Sequence, residues 1–374
     1  MSVLALLSVG IILLARPPSG SPFESALLAF LAAFGLTPFV RLLALRGGAV
    51  DRPDARKRHA RPTPRLGGVA VVAAFVLTLG RTGGVDGEMI AIAASALALM
   101  LAGAIDDTRG LSARLRLVLQ LACALIVIAA GVRLNLLPGT AGAVGNVLLS
   151  IVWIVGITNA YNFIDGMDGL AGSLGALIAF LLGLVAHGGG QTGLATACAA
   201  LCGALLGFLP HNLRLGGPAR IFLGDSGSAS VGFLLAALAI KEDWAEGDPL
   251  VSLATPVLIF SVLIYDMLQT TMSRVMSGRV RSFQQWIDYV GRDHIHHRFT
   301  DLLGHPRRAL VLILSLALGL GLCALGLHRG DGAEAVIFLV HGALVLMVVA
   351  VLEGSARRAG PGGGTVASGG RRRR

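Results

Sequence analysis

Charged residues are scarce in this chain of 374 residues: they make up 14% of it, whereas hydrophobic residues make up 55%. A soluble domain of this length needs far more charge to cover its surface. The apolar residues come in runs, not in the alternation of a half-buried helix or strand, and many runs approach the length that crosses a bilayer. The composition therefore excludes a soluble protein and predicts an all-α polytopic membrane protein.

Cysteine is also rare, and all four cysteines lie inside apolar runs. Cys198 and Cys202 are four residues apart and would share a helix face, which is one way to build a metal or redox site. No other soft ligand lies near them in the sequence. We therefore interpret the cysteines as small packing residues.

The apolar runs predict about eleven transmembrane helices, and the loops between them predict their orientation. The loops after the odd-numbered spans and the C-terminal tail contain 24 Lys and Arg residues, whereas the alternate loops contain 4. The positive-inside rule places the first set of loops and the C-terminus in the cytoplasm. Because the net charge of +10 is a topology signal, we discount nucleic acid as a partner. The predicted spans are residues 22–45, 66–80, 89–105, 114–132, 145–161, 168–187, 193–210, 226–241, 249–272, 308–327 and 333–352.

These spans divide the chain into three parts. Residues 1–21 form an N-terminal apolar segment that is either a signal-type segment or an extra span. Residues 22–352 form a transmembrane catalytic domain. Residues 353–374 are expected to be a basic, disordered cytoplasmic tail against anionic headgroups.

Carboxylate motifs fall on the predicted cytoplasmic loops. Asp106 and Asp107 close the third span, where adjacent carboxylates are costly unless a cation joins them; a charge pair facing water is the alternative. Asp165 and Asp168 follow the fifth span and share one face if the turn is helical, or else belong to an ordinary turn. Asp225 opens the eighth span at an anion-binding helix start, or is a simple N-cap.

Histidines and one aromatic residue accompany these acids. The loop after the ninth span contains three histidines in four residues, which suit a zinc site, phosphate contacts or a structural role. Because the acids are hard oxygen ligands that suit Mg²⁺ or Mn²⁺, we interpret these histidines, next to Arg298, as phosphate donors. His59, in the first basic loop, belongs to the rim of an anionic substrate site or only to the topology signal. Phe222 is a core residue or stacks on a base.

The joint placement of these motifs is more informative than any one of them. They lie on five separate loops of one predicted face, so the helices are expected to bundle around a shared cytoplasmic cleft. Carboxylates and basic donors at a membrane surface indicate a Mg²⁺-dependent phosphoryl reaction between a lipid phosphate and a nucleotide-linked group. An ion-coupled transporter is the non-enzyme alternative, but it would place its charges near the middle of the membrane.

Four sequence blocks resemble the polyprenyl-phosphate N-acetylhexosamine-1-phosphate transferases, over about residues 22–352. The blocks are Ala104-Ile-Asp-Asp, Asn159 to Gly172, Phe222-Leu-Gly-Asp-Ser-Gly-Ser and His294-Ile-His-His-Arg. The last block is similar to the branch that moves GlcNAc-1-phosphate from UDP-GlcNAc to undecaprenyl phosphate, the first membrane step of a cell-envelope glycan pathway. The muramoyl-pentapeptide branch typically has a lysine shortly after the Asp-Asp pair, near where Gly110 stands here.

The resemblance implies roles for particular residues and a bacterial inner-membrane location. The lipid phosphate, deprotonated or positioned by Asp106 and Asp107, would attack the β-phosphorus of the UDP-sugar and expel UMP. A direct attack and a covalent aspartyl intermediate are both open. Asp225, with Asp107, would hold Mg²⁺ (or Mn²⁺). The nucleotide site would contain catalytic Asp165 together with Asn159, Asn162 and Asp168, and the uracil ring would stack on Phe222. The diphosphate or the sugar would be contacted by His294, His296, His297 and Arg298.

One departure from the family pattern makes the donor sugar less certain than the reaction. Between Gly278 and Asp293 the family has a short link, whereas this sequence has a longer, aromatic one that is expected to help choose the sugar. Phospho-MurNAc-pentapeptide transfer is therefore the nearest alternative. A CDP-alcohol phosphotransferase is a weaker one, because its Ala-Arg pair and later aspartates are missing. The oligomeric state, including a homodimer, stays open.

Overall fold

The computed structural model describes residues 20–51, 62–82, 85–214, 216–241, 249–289, 291–330 and 332–359. Within these ranges the chain is almost entirely helical, with one small antiparallel sheet. The helices are α1 Pro22–Gly47, α2 Gly67–Thr82, α3 Gly87–Arg109, α4 Ala113–Ala129, α5 Gly139–Ile164, α6 Leu170–Gly188, α7 Thr192–Asn212, α8 Asp225–Leu238, α9 Pro249–Ile259, α10 Ser261–Met276, α11 Phe283–Asp288, α12 Ile295–Leu303, α13 Pro306–Arg329 and α14 Gly332–Ala359. The strands are β1 Val50–Asp51 and β2 Thr63–Pro64.

A helix lies at each of the eleven predicted spans, the ninth being the pair α9 and α10. Seven of the described helices are long and apolar enough to cross a membrane, and the pair, bent by 78°, would be an eighth. The helices α2 and α8 are apolar but shorter, and α4 carries two arginines near its start. The all-α polytopic membrane fold is confirmed, while the count of eleven crossings stays a prediction.

Glycines allow α1 and α7 to pack closely. A Cβ atom on Gly203 or Gly207 would overlap the backbone of Ala26 or Phe30, so these two glycines lie directly against α1. Lipid tails are as apolar as leucine, and helices in a membrane therefore associate largely through this kind of close backbone packing. Small residues spaced by four along α7 thus account for a tight helix pair in the bundle.

The backbone just before α2 is hydrogen-bonded to the segment that leads into α8. The strands β1 and β2 pair with each other, Val50 opposite Pro64. The Phe222 N–H then donates to the Pro64 carbonyl (2.8 Å), and the Gly67 N–H donates to the Phe222 carbonyl (2.9 Å). Leu66, between them, has φ 95°, a conformation that side-chain-bearing residues rarely adopt. These bonds hold residues 64–67 beside the motif that opens α8.

Of the two predicted terminal segments, residues 1–21 and 353–374, only parts are described by the structure. Residues 1–19 lie outside the described residues. At the other end, α14 continues to Ala359, past the predicted boundary at residue 352. Glu353 is fully buried there, so the segment expected to be a disordered tail begins inside a packed helix.

Candidate functional site

A cavity of about 740 Å³ lies where seven of the described helices begin or end. The helices α3, α5 and α7 end at the cavity, and α6, α8, α12 and α13 begin there. Loops far apart in sequence therefore meet at one end of the bundle. This arrangement agrees with the predicted cleft shared by separate loops. Five carboxylates line the cavity: Asp51, which forms an ion pair with Arg65, and Asp107, Asp165, Asp168 and Asp225. The basic lining residues are Arg65, Arg214, Arg292, His296, His297, His305 and Arg307.

Asp107 connects the end of α3 to the start of α8. Its Oδ1 accepts the N–H of Asp225 and its Oδ2 accepts the N–H of Ser226, both at 3.0 Å. Backbone N–H groups at a helix start have no partner within the helix, and a carboxylate there is stabilised by the helix dipole. Gly224 permits the approach: its φ is 75°, and a Cβ on it would lie 2.6 Å from Asp107 Oδ2. Asp107 therefore caps α8 while lining the cavity.

Asp106 points away from Asp107, toward α4. Its Oδ1 accepts the N–H of Leu111 at 2.6 Å, and its Oδ2 lies 3.2 Å from the guanidinium of Arg116. Asp106 is not among the residues that line the cavity. Two adjacent residues of a helix are rotated by about 100° from each other, which explains why the two carboxylates of the motif have different surroundings.

Asp225 is held from two sides. The Asn162 side-chain amide donates to Asp225 Oδ1 (3.0 Å) and also to Ser228 Oγ (2.6 Å). The Arg116 guanidinium lies 3.8 Å from the same carboxylate oxygen, so this arginine connects Asp106 with Asp225. Arg116 was missed as a site residue. The available signal was its position inside a predicted span, where an arginine is costly and often functional.

Asp165 lies among the other carboxylates, at the end of α5. Burial raises its pKa to about 7, with further contributions from Asp225, Asp107 and Asp168, while Arg65 opposes the increase. Such a group of like charges is favourable for a divalent cation. Mg²⁺ commonly takes one or two carboxylates and completes its coordination with substrate phosphates.

The described residues contain no group of three or more His, Cys, Asp or Glu side chains placed to hold a metal ion together. An open magnesium site needs no such group, and the hard oxygen donors at the cavity suit that ion in type. The donor atoms of Asp107 and Asp225 are thus of the type that Mg²⁺ binds, and their role as metal ligands stays a prediction.

Asn212 holds two motif loops together. Its side chain accepts the N–H of Gly169 (2.8 Å) and donates to the carbonyl of Ile221 (2.9 Å). Next to it, Asp168 accepts the N–H of Ala219 at 2.9 Å. Phe222 lines the cavity beside them, where it can reach a planar ligand.

The histidine block divides into two pairs. His296 and His297 line the cavity, with ring centroids 4.1 Å apart. His294 and Arg298 are not among the lining residues: His294 contacts Asp266 (2.8 Å), and Arg298 forms an ion pair with Glu353. Two of the four residues predicted to contact substrate, His296 and His297, therefore lie at the cavity, and their contacts with substrate stay predictions.

Comparison with known proteins agrees with this geometry. The sequence model described as "Glycosyl transferase family 4" matches residues 89–242. The chain is 31% identical to the probable undecaprenyl-phosphate N-acetylglucosaminyl 1-phosphate transferase of Bacillus subtilis, over 75% of this chain and 77% of that protein. It is 32% identical to the decaprenyl-phosphate N-acetylglucosaminephosphotransferase of Mycolicibacterium smegmatis, over 92% of both chains. The Escherichia coli undecaprenyl-phosphate alpha-N-acetylglucosaminyl 1-phosphate transferase is 31% identical, over 74% of this chain and 75% of that protein.

The chain belongs to glycosyl transferase family 4. The predicted membership of the polyprenyl-phosphate N-acetylhexosamine-1-phosphate transferases is confirmed. Asn159, like Asp106, His294 and Arg298, is a predicted site residue of this family 4 transferase that does not line the cavity. Asn159 donates to Gln120 (2.7 Å) and to the Val155 carbonyl (2.8 Å), and His59 lies outside the described residues. Their predicted substrate contacts stay predictions.

The longer loop of this family 4 transferase reaches the cavity at one described residue. Trp286, on α11, donates to Thr271 Oγ1 (3.0 Å) away from the cavity, whereas Arg292 is a lining residue. In the sequence, the four arginines at the cavity count only as topology signals, and His305 belongs to none of the predicted motifs. A positive charge on a loop satisfies the positive-inside rule whether or not it binds substrate, so sequence alone does not distinguish these two roles.

Proposed function

We propose that this family 4 transferase moves GlcNAc-1-phosphate from UDP-GlcNAc to a polyprenyl phosphate. The products are UMP and a polyprenyl-diphosphate-linked sugar. The main support is the cavity, which Asp107, Asp165 and Asp225 line together with several arginines and histidines. The names of the relatives, all N-acetylglucosaminyl phosphotransferases acting on polyprenyl phosphates, support the same donor and acceptor.

The reaction forms one bond and breaks one. An oxygen of the lipid phosphate attacks the β-phosphorus of the donor, and the bond from that phosphorus to the bridging oxygen breaks, so that UMP leaves. Asp165, whose pKa is raised to about 7, takes up the proton that the lipid phosphate carries. A general base is most effective when its pKa lies near the working pH. Asp107 keeps the start of α8, and with it Asp225, next to the attacking oxygen.

Charge neutralisation completes the proposal. Mg²⁺, held by Asp225 with Asp107, would neutralise the charge that develops on the diphosphate. Arg65, His296 and His297, which also line the cavity, bind the phosphate oxygens, and their N–H groups donate to oxygens that become more negative in the transition state. Phe222 stacks against the uracil ring.

The proposal also includes an orientation. The end of the bundle that contains the cavity faces the cytoplasm of a bacterial inner membrane, where a cytosolic nucleotide-sugar is available. The arginine-rich loops at this end support that orientation through the positive-inside rule. The enzyme would then carry out the first membrane step of a cell-envelope glycan pathway.

The test is a measurement of UMP release by the purified full-length protein with undecaprenyl phosphate. Two donors are compared, UDP-GlcNAc and UDP-MurNAc-pentapeptide, each with Mg²⁺, with Mn²⁺ and with EDTA. We expect release with UDP-GlcNAc, abolished by EDTA and restored by either cation. Activity with the pentapeptide donor alone would replace the proposed sugar. Full activity in EDTA would remove the metal from the proposal.

A further inference from the structure

His294 is enclosed by protein on the side away from the cavity. It precedes α12 and is 7% exposed, and its Nδ1 lies 2.8 Å from Oδ2 of Asp266 on α10. The other oxygen of Asp266 accepts the backbone N–H of Ile295 at 2.6 Å. One carboxylate, itself 3% exposed, therefore holds both the histidine ring and the first backbone group of α12.

The opposite ring nitrogen of His294 faces Arg274. The Arg274 guanidinium lies 3.3 Å from His294 Nε2 and binds both carboxylate oxygens of Asp293, at 2.9 and 2.7 Å. A guanidinium has only donors, so Nε2 accepts and the proton of a neutral imidazole is on Nδ1. Burial raises the pKa of Asp293, but the hydrogen bond and charge of Arg274 outweigh it and lower that pKa overall. Both ring nitrogens of His294 are thus used within the protein.

Arg298 is held in a similar way, one turn further along α12. It forms an ion pair with Glu353 on α14, a carboxylate that is fully buried. The Tyr265 hydroxyl donates to the same carboxylate at 2.6 Å. Tyr265 and Asp266 are adjacent on α10, so α10 and α14 hold the start and the middle of α12. His296 and His297 lie between these two attachments, on the side of the cavity.

We propose that Asp266 and His294 form a positioning unit that aims His296 and His297 into the cavity, and that His294 does not contact substrate. The proposal rests on the proposed function for its effect on turnover. In this unit, the His294 group needed for positioning is the Nδ1–H, which donates to Asp266. A ring that bound the donor diphosphate would instead need a free Nε2, and Arg274 is already there.

Substitutions at His294 separate these two roles, because two amides imitate different ring nitrogens. Asparagine places its side-chain nitrogen near the position of Nδ1, and glutamine places its nitrogen near Nε2. We expect His294→Leu and Asp266→Leu each to lower kcat by roughly tenfold or more, because each leaves a buried polar partner unsatisfied. We expect His294→Asn to recover most of the loss and His294→Gln to recover little. The opposite order of the two amides would overturn the proposal.

A double-mutant cycle gives a second test, with His297→Asn as the comparison. If Asp266 and His294 act as one unit, the double Leu variant should be within about threefold of either single variant. His297→Asn should lower turnover as well, but its effect should combine less than multiplicatively with that of Asp266→Leu, because Asp266 acts through the position of His297. Multiplying losses for the Asp266 and His294 variants would contradict the proposal.

Thermal unfolding of the same purified full-length variants separates failure of this proposal from failure of the proposed function. The midpoint does not depend on turnover, and coupling between Asp266 and His294 should appear in it as well. If the wild-type protein released no UMP from either donor, the proposed function would fail while the cycle in unfolding midpoints still tested the pair. Additive midpoint losses would reject the pairing itself.

Discussion

Replacing Asp225 by asparagine should nearly abolish turnover and leave the fold intact. The variant keeps an oxygen that can accept the amide of Asn162, now at 3.0 Å. It loses one negative charge at 3.8 Å from Arg116, in a pair whose side chains are 41% and 30% exposed. Ion pairs of this exposure contribute about 0–1 kcal/mol to folding. The expected loss of stability is therefore below ~1 kcal/mol.

The expected loss of activity is much larger. Removing one preorganised electrostatic group from an active site commonly costs about 10²–10³ in kcat, or about 2.7–4 kcal/mol. The assay is UMP release from UDP-GlcNAc at saturating Mg²⁺, together with thermal unfolding of the same preparation. Asp225→Asn that is folded and turns over within tenfold of wild type would refute the proposed role of this carboxylate.

Asp107→Asn serves as the comparison, and the structure predicts a different result for it. Both oxygens of Asp107 accept backbone N–H groups at the start of α8. An amide at this position faces one of those N–H groups with its own NH₂, and leaving that buried donor unsatisfied costs about 1–3 kcal/mol. We therefore expect Asp107→Asn to lower both turnover and the unfolding midpoint. Equal stability of the two variants would contradict the capping role of Asp107.

Three further substitutions test other parts of the site. Gly68→Ala should destabilise the protein by about 1–3 kcal/mol, because its Cβ would overlap the backbone of α8. Gly80→Ala, on the same helix α2, has open space around the new Cβ and should be tolerated. The unfolding midpoints of the two variants test this difference. Phe222→Leu should raise KM for UDP-GlcNAc roughly tenfold through lost stacking, with little change in KM for the lipid. Arg116→Met should lower kcat roughly tenfold or more. Arg114 bonds Gln284 on α11 instead of a site carboxylate, so Arg114→Met should leave kcat nearly unchanged. Equal losses of kcat in the two variants would argue against Arg116 as a site residue.

The positions of the helices could be predicted from the sequence because the relevant signal is local. An apolar run of sufficient length is helical in lipid wherever it packs, since only a helix satisfies its own backbone groups there. The bend between α9 and α10 was not predicted, because both halves belong to one continuous apolar run from residue 249 to 272. The convergence of the acidic motifs was predictable for a related reason: alternate loops of an up-and-down bundle lie at the same end.

The individual contacts of the site were not predictable, because they depend on helix packing. His294 is bound by a residue 28 positions earlier, and Tyr265 and Glu353, which meet beside Arg298, are 88 positions apart. A histidine-rich motif gives no indication of which of its rings face the cavity and which face the protein. Asp266 and Glu353 were not considered as site residues, although a carboxylate inside an apolar helix is costly and commonly marks a functional pair.

The way each carboxylate is stabilised supports a reaction at the end of the bundle over transport through it. Asp107 is bound by the free N–H groups of a helix start, Asp106 by Arg116, and Asp225 by an amide and the same arginine. Each of these partners lies within one turn of the start or end of a helix. Carboxylates that relay an ion across the membrane would need partners at mid-depth along a path to the other side. Asp165, which has three carboxylates nearby and a raised pKa, is instead suited to a cation and a phosphate that enter from the same open end.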